Sequence, residues 1–234
     1  MEKKEKIYEG KAKIVYATDS PDHVIQYFKD DATAFNAQKK GTILEKGIAN
    51  NKISSAIFQY LMDQGIPTHF EKLLNDREML VKRVTIVPLE VIVRNRAAGS
   101  LSRMLGIPEG THLACPVLEY CLKEDKLGDP MINTYHVRAL KLATDDELKV
   151  IDEYTFKIND ALKAFFLKQN IELIDFKIEF GRFKDKIILA DEISPDTCRL
   201  WDLKTGERLD KDRFRRDLGN IEQAYQEVLK RVTK

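Results

Sequence analysis

The chain has 234 residues, 43% hydrophobic and 33% charged, enough for one large domain or two small intimate ones whose core needs no metal or disulfide staple. Lys plus Arg number 39 against 38 for Asp plus Glu, and a net charge of +1 gives no long-range attraction to polyanions, which excludes nucleic-acid binding as the main function. With 11 Phe and 8 Tyr the chain is not disordered, despite its many charges.

Taken in chain order, residues 1–6 lack the apolar stretch of a signal peptide. Ile7, Ala12, Ile14 and Tyr16 around Gly10 predict a tight strand–turn–strand, and residues 24–28 a further strand. Ile48, Ile53, Ile57, Tyr60 and Leu61 recur at helical spacing, with Gly65 and Pro67 as the stop. Residues 79–84 and 86–93 read as strands. The second of these is the longest apolar stretch, is broken by Pro88 and Glu90, and is too short to cross a bilayer. A short helix over 101–105 is expected, with Ser100 as N-cap and Gly106 as stop. Thr144 and Glu147 form a capping box for a long helix whose apolar face is Leu148, Ile151, Ile158, Leu162 and Phe165. Two strands, 171–180 and 186–193, follow across a polar turn. Ser194 to Asp202 reads as a loop, and a last amphipathic helix carries Ile221, Ala224, Val228 and Val232. Strands concentrate first and mixed elements later, an α+β pattern with a boundary near 82–86, dividing the chain into 1–84 and 85–234. Cys115, Cys121 and Cys198 have no zinc or disulfide spacing, so reduced thiols in a cytoplasmic protein are expected.

The most informative segment is Asp175-Phe176-Lys177-Ile178-Glu179-Phe180-Gly181. Strand alternation puts Asp175, Lys177 and Glu179 on one face, the two carboxylates about 14 Å apart with an ammonium between them. If the following hairpin pairs Glu179 with Asp191, the two can share a hard divalent cation; Mg²⁺ bound by one or two carboxylates plus phosphate oxygens fits such a pair. The alternative is an ordinary solvated sheet face. Arg199, in the stretch holding the only Trp, can grip an anion bidentately or sit in a surface ion pair with Asp196 or Asp202. Arg94 and Arg96 before Ala97-Ala98-Gly99-Ser100 form a second anion-binding candidate, at a helix start where a backbone can approach closely. Tyr8-Glu9-Gly10-Lys11-Ala12-Lys13 is either a phosphate-covering turn or an exposed lysine-rich hairpin. Walker A and Gly-x-Gly-x-x-Gly patterns are both missing, and His23, His69, His112 and His136 have no metal or triad spacing. The residues by themselves point to ATP-dependent phosphoryl chemistry on an acidic small molecule, with a small-molecule kinase and a non-enzymatic nucleotide-binding module as alternatives.

Val87-Pro88-Leu89-Glu90-Val91-Ile92-Val93-Arg94, followed by Ala98-Gly99-Ser100, resembles one signature of the phosphoribosylaminoimidazole-succinocarboxamide synthase (SAICAR synthetase) family, and Ile174 to Gly181 resembles the second. The Gly10 turn and the stretch 191–202 are similar to the family as well. One departure is that Met104 follows Arg103 where members often carry a second basic residue. The resemblance implies an α+β enzyme with a kinase-like N-terminal lobe on an ATP-grasp-like mixed α/β C-terminal lobe. It implies ligation of L-aspartate to carboxyaminoimidazole ribonucleotide (CAIR) with ATP and Mg²⁺, through an acyl phosphate, by a homodimer. On this resemblance Gly10, Lys11, Ala12 and Lys13 would cover the ATP phosphates, and Lys82 to Ile86 would meet adenine. Glu179 and Asp191 would hold Mg²⁺, with Lys177 neutralising the transferring group. Arg94, Ser100 and Arg199 would grip the ribose phosphate, while Asp175 and Asp196 orient polar groups of CAIR. Lys211 or Arg215 would receive aspartate's carboxylates, and Glu90 and Asp129 would make further metal or substrate contacts.

Overall fold

The computed structural model describes residues 1–34 and 39–233. The chain begins with strands β1 (Lys3–Glu9), β2 (Lys13–Thr18) and β3 (His23–Phe28), then the antiparallel pair β4 (Asp31–Ala34) and β5 (Lys39–Thr42). Helix α1 (Lys46–Asp63) leads to β6 (Phe70–Leu73) and β7 (Glu78–Lys82). Next come β8 (Thr85–Ile86), β9 (Leu89–Arg96), α2 (Gly99–Leu105), β10 (His112–Leu122), β11 (Met131–Ile132) and α3 (Thr134–Ala139). The chain continues through α4 (Asp145–Lys168), β12 (Ile171–Phe183), β13 (Lys186–Ala190), β14 (Cys198–Asp202), α5 (Asp212–Arg215) and α6 (Ile221–Val232).

Two antiparallel sheets organise these elements. The first has the order β1-β2-β3-β7-β6, so every one of its strands precedes Thr85. The second is built around β12, and all of its strands follow Arg83. The first half of β12 lies between β9 and β14, and its far end pairs with β13 and β8. Its core face explains that central place: Phe176, Ile178 and Phe180 are buried, next to Val91 and Val93 of β9. One continuous apolar core runs from the first sheet through α1 to α4, β12 and α6.

The capping box of α4 forms as expected. The Glu147 amide donates to Thr144 Oγ1 at 3.1 Å, and the Thr144 amide donates to Glu147 Oε2 at 2.9 Å. Phe166 rather than Phe165 completes its buried face, because the i, i+4 step from Leu162 falls there. Ser100 is not the N-cap of α2; Ala98 is, and Ser100 lies in the first turn with its hydroxyl on Arg94. The strand expected over 86–93 is two strands, interrupted at Val87-Pro88, where the proline has no amide to give a ladder. Residues 198–202 are a strand and not loop, because Leu200 and Cys198 fill core positions beside β12. Ile193 lies beyond the end of β13. No described helix is long and apolar enough to cross a membrane.

The junction of the sheets passes through His69. Its amide donates to Leu189 O of β13 at 2.8 Å, and its carbonyl accepts from the Lys82 amide at 2.7 Å. The ring is 1% exposed, packs edge-on against Phe58, and has no hydrogen-bond partner on either nitrogen among the described residues. Burial, reinforced by Lys13, lowers its pKa from 6.5 to about 3. Stability from the neutral ring is therefore complete above about pH 6.5, and is lost as pH falls toward 3 because the unfolded chain takes the proton first. Urea unfolding at about pH 7 and about pH 5 should show wild type losing roughly 2 kcal/mol more than His69→Leu over that interval. Equal losses in the two proteins would exclude this origin of acid sensitivity.

Candidate active site

A cleft of about 920 Å³ is lined by residues of both large sheets. Its floor is the outer face of β12, where Asp175, Lys177 and Glu179 point the same way by strand alternation. The turn residues Gly10, Lys11, Ala12 and Lys13 border it from the first sheet, and Lys82 and Ile86 border it at the junction. Arg94, Ser100, Asp191, Asp196, Arg199, Lys211 and Arg215 also line it, as do Glu90 and Asp129.

The carboxylate pair forms by a different route from the one expected. Glu179 lies opposite Ala190, not Asp191. A one-residue offset turns a side chain to the other face of a sheet, so a regular strand would carry Asp191 away from Glu179. Asp191 instead leaves β13 with φ 63°, a left-handed conformation that aspartate tolerates better than most residues. Its carboxylate comes to the same ammonium as Glu179: Lys177 Nζ is 2.7 Å from Glu179 Oε1 and 3.2 Å from Asp191 Oδ2. Glu90 Oε1 is 3.3 Å from that ammonium, Lys123 donates to Glu179 Oε1 at 2.7 Å, and Lys13 donates to Asp191. Burial alone would lower Lys177, but Glu179, Asp191 and Glu90 reverse this and hold its pKa well above the ordinary lysine value. Burial would raise Asp191, but Lys13, Lys177 and Lys123 hold it far below the usual carboxylate range. No group of three His, Cys, Asp or Glu ligands gathers among the described residues. Two hard carboxylates around a place that already holds positive charge fit Mg²⁺ shared with phosphate oxygens, not a fully protein-caged metal.

A second cluster follows from sheet register. Asp175 stands opposite Arg94 of β9 on one side and Arg199 of β14 on the other. Its Oδ2 accepts from Arg94 Nη1 at 2.9 Å and from Arg199 Nη1 at 2.7 Å. Arg94 also donates to Glu119 Oε2 at 2.8 Å and to Ser100 Oγ at 2.7 Å. Arg199 is not paired with Asp196 or Asp202. Its second carboxylate is Asp212 of α5, at 2.9 Å. Asp212 also accepts from Arg215 Nη1 at 2.7 Å; burial would raise its pKa, but Arg199 and Arg215 hold it at about 2. Gly99, at φ 56°, permits the approach of Arg199: a Cβ there would lie 2.4 Å from Arg199 Nη2.

Asp196 anchors the third wall. Its Oδ2 accepts from Lys46 Nζ at 2.7 Å, and its Oδ1 accepts from the Tyr225 hydroxyl at 2.6 Å. At the mouth, Lys11 Nζ reaches Asp125 at 2.6 Å, joining the β1–β2 turn to the segment after β10. Lys123 lines the cleft itself, while Glu119, Asp212, Lys46 and Tyr225 stand behind its wall, holding Arg94, Arg199 and Asp196. No local spacing marks them, since each meets its partner from another element.

A mixed α+β fold with lysine–carboxylate pairs on one side of a large cleft and an arginine–aspartate row on the other suits an enzyme of phosphorylated, acidic small molecules. Known proteins make the assignment specific. The family model for SAICAR synthetase matches residues 6–232. A phosphoribosylaminoimidazole-succinocarboxamide synthase of Clostridium novyi is 64% identical over 233 residues, covering 100% of this chain and 99% of that protein. The crystal structure of the synthase from Ehrlichia chaffeensis superposes with a TM-score of 0.96 at 50% identity, covering 98% of each chain. A SAICAR synthetase in complex with ADP superposes with a TM-score of 0.94 at 48% identity, covering 97% of each chain. The chain belongs to the SAICAR synthetase family. These likenesses do not favour the small-molecule kinase alternative.

Gly99→Ala tests the arginine row. The left-handed backbone and the clash with Arg199 should lower stability by about 1–3 kcal/mol. Thermal melting reads the effect, and an unchanged melting temperature would show that the Arg199 position does not depend on Gly99.

Proposed function

We propose that this cleft joins L-aspartate to CAIR through an acyl phosphate, with Asp191, Glu179 and Lys177 at the phosphoryl-transfer centre. By family the chain is an ATP-dependent ligase of purine biosynthesis. The observation that carries the finer reading is the Lys177 ammonium held between Glu179 and Asp191 in the same cleft as the Arg94–Asp175–Arg199 row. The relative in complex with ADP supports a nucleotide in this fold. Residues 1–84 act as the kinase-like lobe covering the nucleotide, and 85–234 as the ATP-grasp-like lobe holding the substrates. The enzyme works as a cytoplasmic homodimer with reduced thiols.

A carboxylate is a poor acyl donor because its leaving group would be oxide. Transfer of the γ-phosphoryl group to the CAIR carboxylate gives an acyl phosphate, from which phosphate can leave when aspartate's amine attacks. Catalysis is then mainly positioning and charge neutralisation. Lys11, Lys13 and the amides around Gly10 and Ala12 hold the triphosphate, and the backbone from Lys82 to Ile86 meets adenine. Glu179 and Asp191 would hold Mg²⁺, which when bound would neutralise charge on the phosphates. Lys177 stabilises the transferring group. Arg94, Ser100 and Arg199 bind the ribose phosphate, with Asp175 fixing both guanidiniums. Asp196 orients polar groups of CAIR, while Glu90 and Asp129 contribute on the carboxylate side. Arg215 or Lys211 meets aspartate.

An ADP-release assay with CAIR, ATP or aspartate omitted in turn should give full turnover only with all three present; sustained ADP release without aspartate would contradict the ligase chemistry. Asp191→Asn should lower kcat by about 100-fold or more with the fold retained by circular dichroism. Near-normal turnover would remove Asp191 from the centre.

A further inference from the structure

Lys211 differs from every other lysine on the cleft wall. Its backbone amide donates to Pro195 O at 3.0 Å, which pins it against the loop carrying Asp196. Its side chain lines the cleft and is 14% exposed, and its Nζ makes no hydrogen bond among the described residues. The nearest carboxylate oxygen, Asp196 Oδ2, is 3.7 Å away and already accepts from Lys46 at 2.7 Å. The other Asp196 oxygen is taken by Tyr225. The charged and titratable groups around Lys211 are Lys46 of α1, Arg215 of α5, Tyr225 of α6, and Asp196 and Glu192 of the segment after β13. Lys13, Lys123 and Lys177 each contact a cleft carboxylate directly and are held as ammonium ions. Lys211 has two neighbouring cations, and the one carboxylate it contacts is shared with Lys46. Burial lowers its pKa below the ordinary lysine value; Asp196 and, more weakly, Glu192 pull it up, and Lys46 and Arg215 push it back down. Desolvation beside another cation is the environment that supplies an amine as free base.

We propose that Lys211 is the general base of amide formation, its Nζ lone pair taking a proton from the α-ammonium of the incoming aspartate. The role rests on the acyl-phosphate reading and assigns a step that reading leaves open. Aspartate arrives as an ammonium with no lone pair, so one proton must leave before attack. Transfer of that proton to Nζ leaves Lys211 as ammonium and aspartate as amine. The amine nitrogen bonds to the acyl carbon, and the bond from that carbon to the phosphate oxygen breaks with its electron pair going to phosphate. The second nitrogen proton leaves with the phosphate dianion, and Lys211 returns its proton to solvent. Lys46 and Tyr225 keep Asp196 from quenching the base, and Arg215 is left to meet aspartate's carboxylates.

The test compares full-length wild type with Lys211→Met and Lys211→Arg, using ATP, Mg²⁺ and CAIR with either aspartate or hydroxylamine as the amine. Hydroxylamine is already a free base at neutral pH, and it traps an acyl phosphate as hydroxamate without help. Both variants should form hydroxamate and ADP near the wild-type rate. With aspartate at neutral pH they should lose about 100-fold or more in kcat, a deficit that narrows as pH rises toward the pKa of aspartate's own amine. A Lys211→Arg enzyme with wild-type kcat, or a deficit confined to the KM for aspartate and equal at every pH, overturns the assignment in favour of carboxylate binding. Parallel loss of the hydroxylamine reaction overturns it in favour of a role in phosphoryl transfer or folding. Absence of hydroxamate with wild type removes the acyl phosphate itself, a failure visible without any variant.

Discussion

The ammonium of Lys177 and the two carboxylates it touches are a constraint that the surrounding structure satisfies. Charges so poorly exposed to water are each expensive to desolvate, and removing one partner from such a group typically costs about 3–5 kcal/mol. Lys177 lies between Glu179 and Asp191, while Lys123 and Lys13 supply the charge that a single lysine cannot. The apolar side of the same strand offsets part of that expense, since Phe176, Ile178 and Phe180 are at most 1% exposed. Alternation along β12 therefore joins core and chemistry in one element.

The position of β12 makes the site rigid where rigidity matters. A strand hydrogen-bonded on both sides gives its outward side chains fixed neighbours, and groups held on strands are placed more accurately than groups on loops. The Arg94–Asp175–Arg199 row joins neighbours on three strands, and an irregularity in the β12–β14 pairing between Leu173 and Asp175 is what brings Asp175 opposite Arg199. Asp191 depends on a local backbone exception at φ 63°, and the adjoining Asp196 loop depends on Lys46 and Tyr225 from helices at opposite ends of the chain. The cleft thus combines a sheet-built half with a half assembled by loop and helix packing.

Charge compensation divides the cleft by task. Lysines that share carboxylates remain cations and suit phosphates, whose negative charge they can meet without changing protonation state. The arginine row suits a fixed dianion, since guanidinium keeps its proton under all working conditions. Lys211, with the weakest compensation, is the group whose proton can move.

Much of this was legible in the linear order of residues because strands and capped helices have short periods. Asp175, Lys177 and Glu179 on one face, the Thr144–Glu147 box and the terminal amphipathic helix required only spacing, and motif likeness supplied the family. Tertiary structure decided what involves two distant segments at once. It set Glu179 opposite Ala190 and returned Asp191 through a left-handed turn, and it paired Arg199 with Asp212 instead of its chain neighbours. It also made residues 198–202 a strand and turned Lys46 and Tyr225 toward Asp196. A side chain's face follows from its own strand, but its ion-pair partner follows from register and packing against other elements, which no local pattern encodes.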